Sequence, residues 1–215
     1  YRVGIKNVSP SPDLNTVDSV SNVAVIVSYF EGKQYILEQL RSVFSQTHSA
    51  LHVFLCDDHS SNKLKFVLNS LDLSATELDR LSLSVRPQNI GCTNNFLHSL
   101  ESIEQPFEYF AFSDQDDVWH NGKISSHLDM MRKIEQKDSF TPGLVFSDYS
   151  LADKNLDVLS LSGLSKIGGF SISKMLNSVE YTNYIPGCTM MINRRLVDLA
   201  INYQDKDHIL MHDWW

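Results

Sequence analysis

Tyr109-Phe110-Ala111-Phe112-Ser113-Asp114-Gln115-Asp116-Asp117-Val118-Trp119 is an aromatic and apolar run that turns abruptly into three carboxylates. Tyr109 to Phe112 reads as a buried strand, and the polar switch at Ser113 marks its end. The carboxylates therefore sit at a strand's carboxyl edge. Ligands of open α/β sheets bind outside those edges, so the placement says more than the charge. Asp114, Asp116 and Asp117 at close range repel unless solvated, protonated or bridged by a cation, and hard oxygen donors suit Mg²⁺ or Mn²⁺. An acidic turn that caps a helix starting near Asn121 fits the same residues.

Outward from this strand, the chain alternates. Val23-Ala24-Val25-Ile26-Val27 is a continuous run of the kind buried on both faces, and a helical pattern follows through Tyr35, Ile36, Leu40, Val43 and Phe44. Leu51 to Cys56 is a second strand, followed by a helix from Lys63 to Leu73 with Leu64, Val67, Leu68 and Leu71 on one face. A third strand, Leu81 to Val85, leads through Arg86 to Gly91 into a helix from about Thr93 to Ile103. After the acidic cluster come a helix near Lys123 to Gln136, a strand Leu144 to Ser147, an irregular section from Ser150 to Phe170 and a strand near Cys188 to Ile192. Strands alternating with helices predict an α/β fold with a mainly parallel central sheet and flanking helices. Residues 1–21, with Ser9-Pro10-Ser11-Pro12, read as a linker or extended arm, and 22–215 as one domain.

Composition narrows the function. The net charge of −8, with no Lys/Arg cluster, argues against a nucleic-acid surface. Cys56, Cys92 and Cys188 are odd in number and far apart, which suits reduced thiols in the cytoplasm and gives no zinc spacing. No apolar stretch approaches bilayer length. The chain opens without methionine and stops at Trp214-Trp215 inside an aromatic motif, which reads as a piece of something longer, truncated at its C-terminus.

Three strands finish in ligand-capable residues: Ser28-Tyr29, Asp57-Asp58-His59-Ser60 and Asp114 to Asp117. In a parallel sheet all three lie along one edge. The second cluster also reads as an Asx-type turn opening a helix, and one carboxylate can cap while its neighbour binds. Seven landmarks then occur in order: Ser28-Tyr29, Ser42 to Thr47, Cys56 to Ser60, Asn89-Ile90-Gly91 with Asn94-Asn95, Asp114 to Trp119, Gly187 to Arg194, and His212-Asp213-Trp214. With them the chain resembles the family-2 glycosyltransferases of GT-A fold over about residues 22 to 215. The Asp-Gln-Asp-Asp-Val-Trp and His-Asp-Trp variants look most like the bacterial rhamnosyltransferase branch.

The resemblance implies a metal-dependent, inverting hexosyltransferase of bacterial cell-envelope polysaccharide synthesis. It implies a dTDP- or UDP-sugar donor, a saccharide or lipid-linked acceptor, and Mg²⁺ or Mn²⁺ as cofactor. It would work in the cytoplasm or at the inner face of the membrane, with any membrane association through regions outside this chain. Asp58 would contact the base with help from Asp57, while Ser28, Tyr29 and Glu31 would line the nucleoside pocket and Asn89 and Asn95 shape the donor loop. Asp114 and Asp116 would form the metal and diphosphate pair, Asp116 binding the ion directly, and Asp213 would be the general base. Two positions depart from the family pattern: His59, where many relatives have Gly, and His212, where many have Glu.

The chemistry asks for such parts. Transfer builds negative charge on the leaving diphosphate, and the attacking hydroxyl must lose a proton to a positioned carboxylate. Taken alone, Asp213 also reads as a surface acid, and Trp119 and Cys188 read as packing residues. Trp214 fits either stacking on a sugar or packing, and Arg194-Arg195 read as the start of a solvated helix face. Asp114-Gln115-Asp116 also fits the nucleophile motif of a haloacid-dehalogenase-like phosphatase, but three strands precede it where that family places it first. A sugar-nucleotide-binding domain without turnover is the remaining alternative.

Overall fold

A computed structural model describes residues 2–5, 22–61, 64–69, 72–103, 107–168, 171–178, 183–203 and 213. The Ser9 to Pro12 stretch, Lys63, Leu71, His212 and Trp214 lie outside the described residues. In chain order the elements are β1 (Arg2–Ile5), β2 (Val23–Tyr29), α1 (Ile36–Phe44), β3 (Leu51–Asp57), α2 (Leu64–Asn69), α3 (Ala75–Leu78), β4 (Leu81–Val85) and α4 (Cys92–Ser102). They continue with β5 (Tyr109–Asp114), α5 (Lys123–Glu135), β6 (Leu144–Phe146), β7 (Tyr149–Ala152), β8 (Val158–Ser160), α6 (Ile172–Ser178), β9 (Met190–Asn193) and α7 (Arg194–Ile201).

Six strands form the main sheet in the order β4-β3-β2-β5-β9-β6. The first four are parallel, and β9 runs antiparallel to both neighbours. β2 explains the unbroken apolar run in its sequence. Val23, Val25 and Val27 face a core with Ile36, Leu40 and Val43 of α1 and Ile124, Leu128 and Met131 of α5. Ala24 and Ile26 face the opposite core, with Phe96 and Leu100 of α4 and Val197 of α7. A strand covered by helices on both sides has no face left for polar residues.

The chain runs outward from β2 to β3 and β4, then returns to lay β5 on the other side of β2. Strand order therefore reverses between β2 and β5, and the crevice outside their carboxyl ends is the topological switch point where such sheets bind ligands. Because β9 is antiparallel, its leading residues arrive at that same edge: Ala111 pairs with Met191, which sets the Gly187–Thr189 3₁₀ turn near the end of β5.

The section from Ser150 to Phe170, expected to be irregular, contains order. β7 and β8 pair antiparallel, and β1 pairs with β7, in a separate sheet of order β1-β7-β8. Strands this short fall below the window over which alternation registers, and the β1 partner is remote in sequence. The Asp153 carboxylate turns the β7–β8 corner by accepting the backbone N–H groups of Asn155 and Asp157.

The buried face of α5 carries one titratable residue whose role is structural. His127 is buried with neither ring nitrogen partnered among the described residues, and burial, then the Lys123 charge, pushes its pKa down to about 3. The unfolded chain binds a proton near 6.5 while the folded chain refuses it, so His127 supports stability above that pH and costs stability as pH falls below it. At about 1.36 kcal/mol per pH unit, lowering the pH from about 6.5 to 5 costs about 2 kcal/mol through this residue. Urea unfolding of His127→Phe, compared with wild type across that range, is expected to lack this share of the acid loss.

Candidate active site

A cavity of about 380 Å³ opens at the switch point. Ser28 and Phe30 at the end of β2, Asp58 after β3, the loop residues Asn89 and Gly91, and the turn from Asp114 to Asp116 form its wall. The three polar strand ends of the sequence thus converge.

Strand periodicity decides which residues reach the cavity. Ser28 and Tyr29 point to opposite faces of β2, and Tyr29 is fully buried in the core with Val25 and Val27. The aromatic in the cavity wall is Phe30, 47% exposed, in place of the expected Tyr29. Asn95 is also fully buried behind the wall. Its amide donates to Ser28 Oγ at 2.9 Å and the Cys56 carbonyl at 2.8 Å, and its Oδ1 accepts from Arg86 Nε at 2.9 Å. Arg86, not singled out from sequence, thereby ties the third strand's exit to α4.

The two carboxylates after β3 divide their work. Asp57 closes an Asx-type turn, its Oδ1 accepting from Ser60 N–H at 2.9 Å and Ser60 Oγ at 2.6 Å. Asp58 accepts the backbone N–H groups of Ile90 and Gly91, one on each oxygen, at 2.8 Å, and its carbonyl accepts from Asn89 Nδ2 at 3.1 Å. It therefore organises the Asn89–Gly91 loop as well as facing the cavity. His59 occupies the left-handed region at φ 67, which Gly adopts without Cβ strain, so its departure from the family pattern falls where the backbone favours Gly. Glu31 also has a left-handed backbone, at φ 52. Its carboxylate accepts from Ser61 N–H at 2.6 Å.

The acidic turn is held by the Ser42-to-Thr47 landmark, whose purpose emerges only in three dimensions. Ser42 Oγ accepts from Trp119 N–H at 3.0 Å, Gln46 bonds the His120 carbonyl at 2.8 Å and Ile124 N–H at 3.0 Å, and Thr47 N–H bonds the Asn121 carbonyl at 2.8 Å. Trp119 is buried packing, as the sequence reading favoured.

Charge at this edge is concentrated. Burial, followed by repulsion from Asp116 and Asp213, pushes the Asp114 carboxyl up to about 6. Burial and Asp114 also raise Asp117, whose Oδ2 is buried without a partner among the described residues. Lys123 is fully buried beside them. Its ammonium donates to the Cys188 carbonyl at 2.6 Å and lies 3.4 Å from the Trp119 ring centroid, while desolvation draws its pKa down. Asp213 reaches the same edge: its Oδ2 accepts from Gly187 N–H at 2.8 Å, and its Oδ1 is buried without a partner among the described residues. Adjacent backbone groups of one short turn thus hold the buried cation and Asp213.

A divalent cation fits this chemistry. Carboxylate oxygens of Asp114 and Asp117 and the Cys188 sulfur lie within 4.8 Å of one another. Burial and the carboxylates raise the Cys188 thiol, and the carboxylate oxygens are hard donors, which suits a hard ion. The sequence pair was Asp114 with Asp116; the tight cluster adds Asp117 to Asp114, while Asp116 borders the cavity. Of Arg194-Arg195, Arg194 is half-buried, donating to the Phe107 carbonyl at 3.1 Å and lying over the Phe110 ring, while Arg195 keeps to the solvated face, 3.5 Å from Glu135.

An open α/β sheet of this order, with an acidic cleft at its switch point, is the GT-A arrangement. The chain matches the Glycosyl transferase family 2 model over residues 23–198 and belongs to that family. It is 24% identical over 196 residues to the dTDP-rhamnosyl transferase RfbG of Shigella flexneri, covering 86% of this chain and 62% of that protein. It is 26% identical over 177 residues to the Escherichia coli UDP-Glc:alpha-D-GlcNAc-diphosphoundecaprenol beta-1,3-glucosyltransferase WfgD, covering 82% and 62%. The chain thus spans less than two thirds of these relatives. Among solved structures it resembles the mannosyltransferase PcManGT of Pyrobaculum calidifontis, in complex with GDP-Man and Mn²⁺, with a TM-score of 0.60 and 15% identity over 90% of this chain and 50% of that one. Staphylococcus aureus TarS aligns with a TM-score of 0.57 and 17% identity over 90% and 32%. No described helix is long and apolar enough to cross a membrane.

Proposed function

We propose that this chain is the donor-binding and catalytic domain of an inverting glycosyltransferase. It transfers a hexose, rhamnose in the first instance, from a dTDP- or UDP-sugar to a saccharide or lipid-linked acceptor of a bacterial surface polysaccharide. The observation that carries this reading is the meeting of Asp58, Asp114 and Asp116 around one cavity at the switch point, with Asp213 at the same edge. The rhamnosyl choice draws on the likeness to RfbG, and the lipid-linked acceptor on the likeness to WfgD. Catalysis on the cytoplasmic side follows from the nucleotide donor.

In this mechanism Ser28, Phe30 and the Asn89–Gly91 loop seat the nucleoside, with Asp58 placing that loop. Asp114 and Asp116 would hold Mg²⁺ or Mn²⁺ at the diphosphate end of the cleft, with Asp117 beside Asp114 as a further oxygen donor. When bound, the ion offsets charge developing on the leaving diphosphate. Asp213 takes the proton from the acceptor hydroxyl as that oxygen attacks the anomeric carbon; the bond to the diphosphate oxygen breaks and configuration inverts. Gly187 N–H fixes one Asp213 oxygen, Oδ2, and so orients the carboxylate.

Calorimetric titration with dTDP and UDP, with and without Mn²⁺ or Mg²⁺, tests the donor site. Metal-dependent binding with preference for dTDP is expected, and Asp116→Asn is expected to lose most of the metal-dependent gain. Binding of neither nucleotide to the full-length protein would overturn the reading.

A further inference from the structure

The residue between the two aspartates, Gln115, belongs to none of the roles above, yet it joins two parts of the cleft that are remote in sequence. Its Oε1 accepts the Phe30 backbone N–H at 2.8 Å. Its amide also lies directly against Gly32: a Cβ built there would overlap Gln115 Cδ and Oε1, so the end of the Gln115 side chain would have to shift. The Phe30-to-Gly32 corner is clamped on its other side as well. Glu31 N–H donates to Ser60 Oγ at 3.0 Å, and Ser61 N–H donates to the Glu31 carboxylate at 2.6 Å. The backbone between the clamps turns through the left-handed conformation of Glu31, which costs a non-glycine residue energy and persists only when its surroundings hold it.

We infer that Gln115 is a positioning residue that holds Phe30 as the aromatic wall of the donor cleft, tying the cation-binding turn to the nucleoside pocket. The inference rests on the proposed reading of the cleft as a nucleotide site. Its physical basis is the chemistry of the amide. Gln supplies an uncharged acceptor to the Phe30 N–H, so it satisfies that group without adding a further negative charge between Asp114 and Asp116. Gly32 leaves the amide its place, and a side chain there would displace it. Phe30 is half exposed and lines the cavity, so a base or ribose set against it feels the position of this corner.

The test has a structural arm and a binding arm. Gln115→Met keeps the length and removes the acceptor, and Gly32→Ala displaces the amide while leaving Gln115 in place. Both are expected to speed deuterium exchange at the Phe30 amide by about tenfold, the scale of one lost hydrogen bond. Both are also expected to weaken nucleotide binding by about three- to tenfold by calorimetry. Gln115→Glu, which retains an acceptor, is expected to keep the Phe30 amide protected. The discriminating measurement is a double-mutant cycle: in a Phe30→Ala background the Gln115→Met substitution should change nucleotide affinity by less than about twofold, because its effect passes through Phe30. Unchanged Phe30 exchange in Gln115→Met overturns the clamp. Additive losses in the cycle overturn the route through Phe30. If the Gln115→Met chain unfolds, Gly32→Ala carries the same comparison. Failure of wild type to bind nucleotide, with the Phe30 amide still released by Gln115→Met, would overturn the donor-site reading and the positioning role together while leaving the hydrogen bond established.

Discussion

Asp213→Asn is expected to lower the transfer rate by about 10²- to 10⁴-fold, the usual contribution of a positioned general base, while nucleotide affinity changes by less than about twofold. The substitution is well matched to the site. An asparagine side-chain oxygen can still accept the Gly187 N–H that holds Asp213 Oδ2, so the turn has no reason to move. What disappears is the carboxylate's capacity to take a proton, since an amide oxygen is a far weaker base. The measurement is transfer from a labelled dTDP-sugar to lipid-linked acceptor extracted from membranes, beside calorimetry of dTDP binding. Full activity would remove Asp213 from the base role, and lost nucleotide binding would move it into the donor site.

Lys123→Met is expected to destabilise the domain by about 3–5 kcal/mol, the cost of removing one member of a buried charged group. The ammonium is the partner of the Cys188 carbonyl and is packed against Trp119. Without it that carbonyl loses its donor, and Asp117 loses the neighbouring positive charge that opposes its rise in pKa. The direction with pH follows. Folding raises the Asp117 pKa above its unfolded value, so its contribution is fully present below that value and is lost as pH climbs through the folded one. Burial draws Lys123 itself down to about 7, below its unfolded value, so the lysine costs the fold most while it is charged and less above pH 7, and the deficit of Lys123→Met relative to wild type should be larger near pH 8.5 than near pH 5.5. Urea unfolding with a chelator present measures it. Adding Asp117→Asn to Lys123→Met should recover part of the loss at the higher pH; no recovery would mean that the lysine acts through Cys188 and packing alone.

The relay from Lys123 to Cys188, and from the neighbouring Gly187 to Asp213, separates what local sequence carries from what it does not. The apolar run of β2 and the polar break after Phe112 can be read along the chain, because burial on both faces and the end of a strand leave their marks within a few residues. Ser74 and Glu77, which cap α3 reciprocally, are equally local. The hydrogen bond from Lys123 to Cys188 spans 65 positions, and the one from Gly187 to Asp213 spans 26. Neither has a local signature. A lysine at the start of an amphipathic helix looks like a solvated residue until its neighbours are known.

Hydrophobic period and turn chemistry alone give the six strands of the main sheet in chain order, the helices α1, α2, α4 and α5 between them, the doubly covered core strand, and the three polar strand ends from which an acidic site is built. Only the tertiary structure decided that Phe30 and not Tyr29 walls the cleft, that Asn95 works from behind it, and that Asp117 joins Asp114 in the tight cluster. It also decided that the stretch after β6 contains paired strands and that β9 runs against its neighbours. The physical reason is common to all of these: the direction of one side chain at a strand's end, the pairing of very short strands and the burial of a charge depend on contacts between segments far apart in sequence, and such contacts leave no period to read.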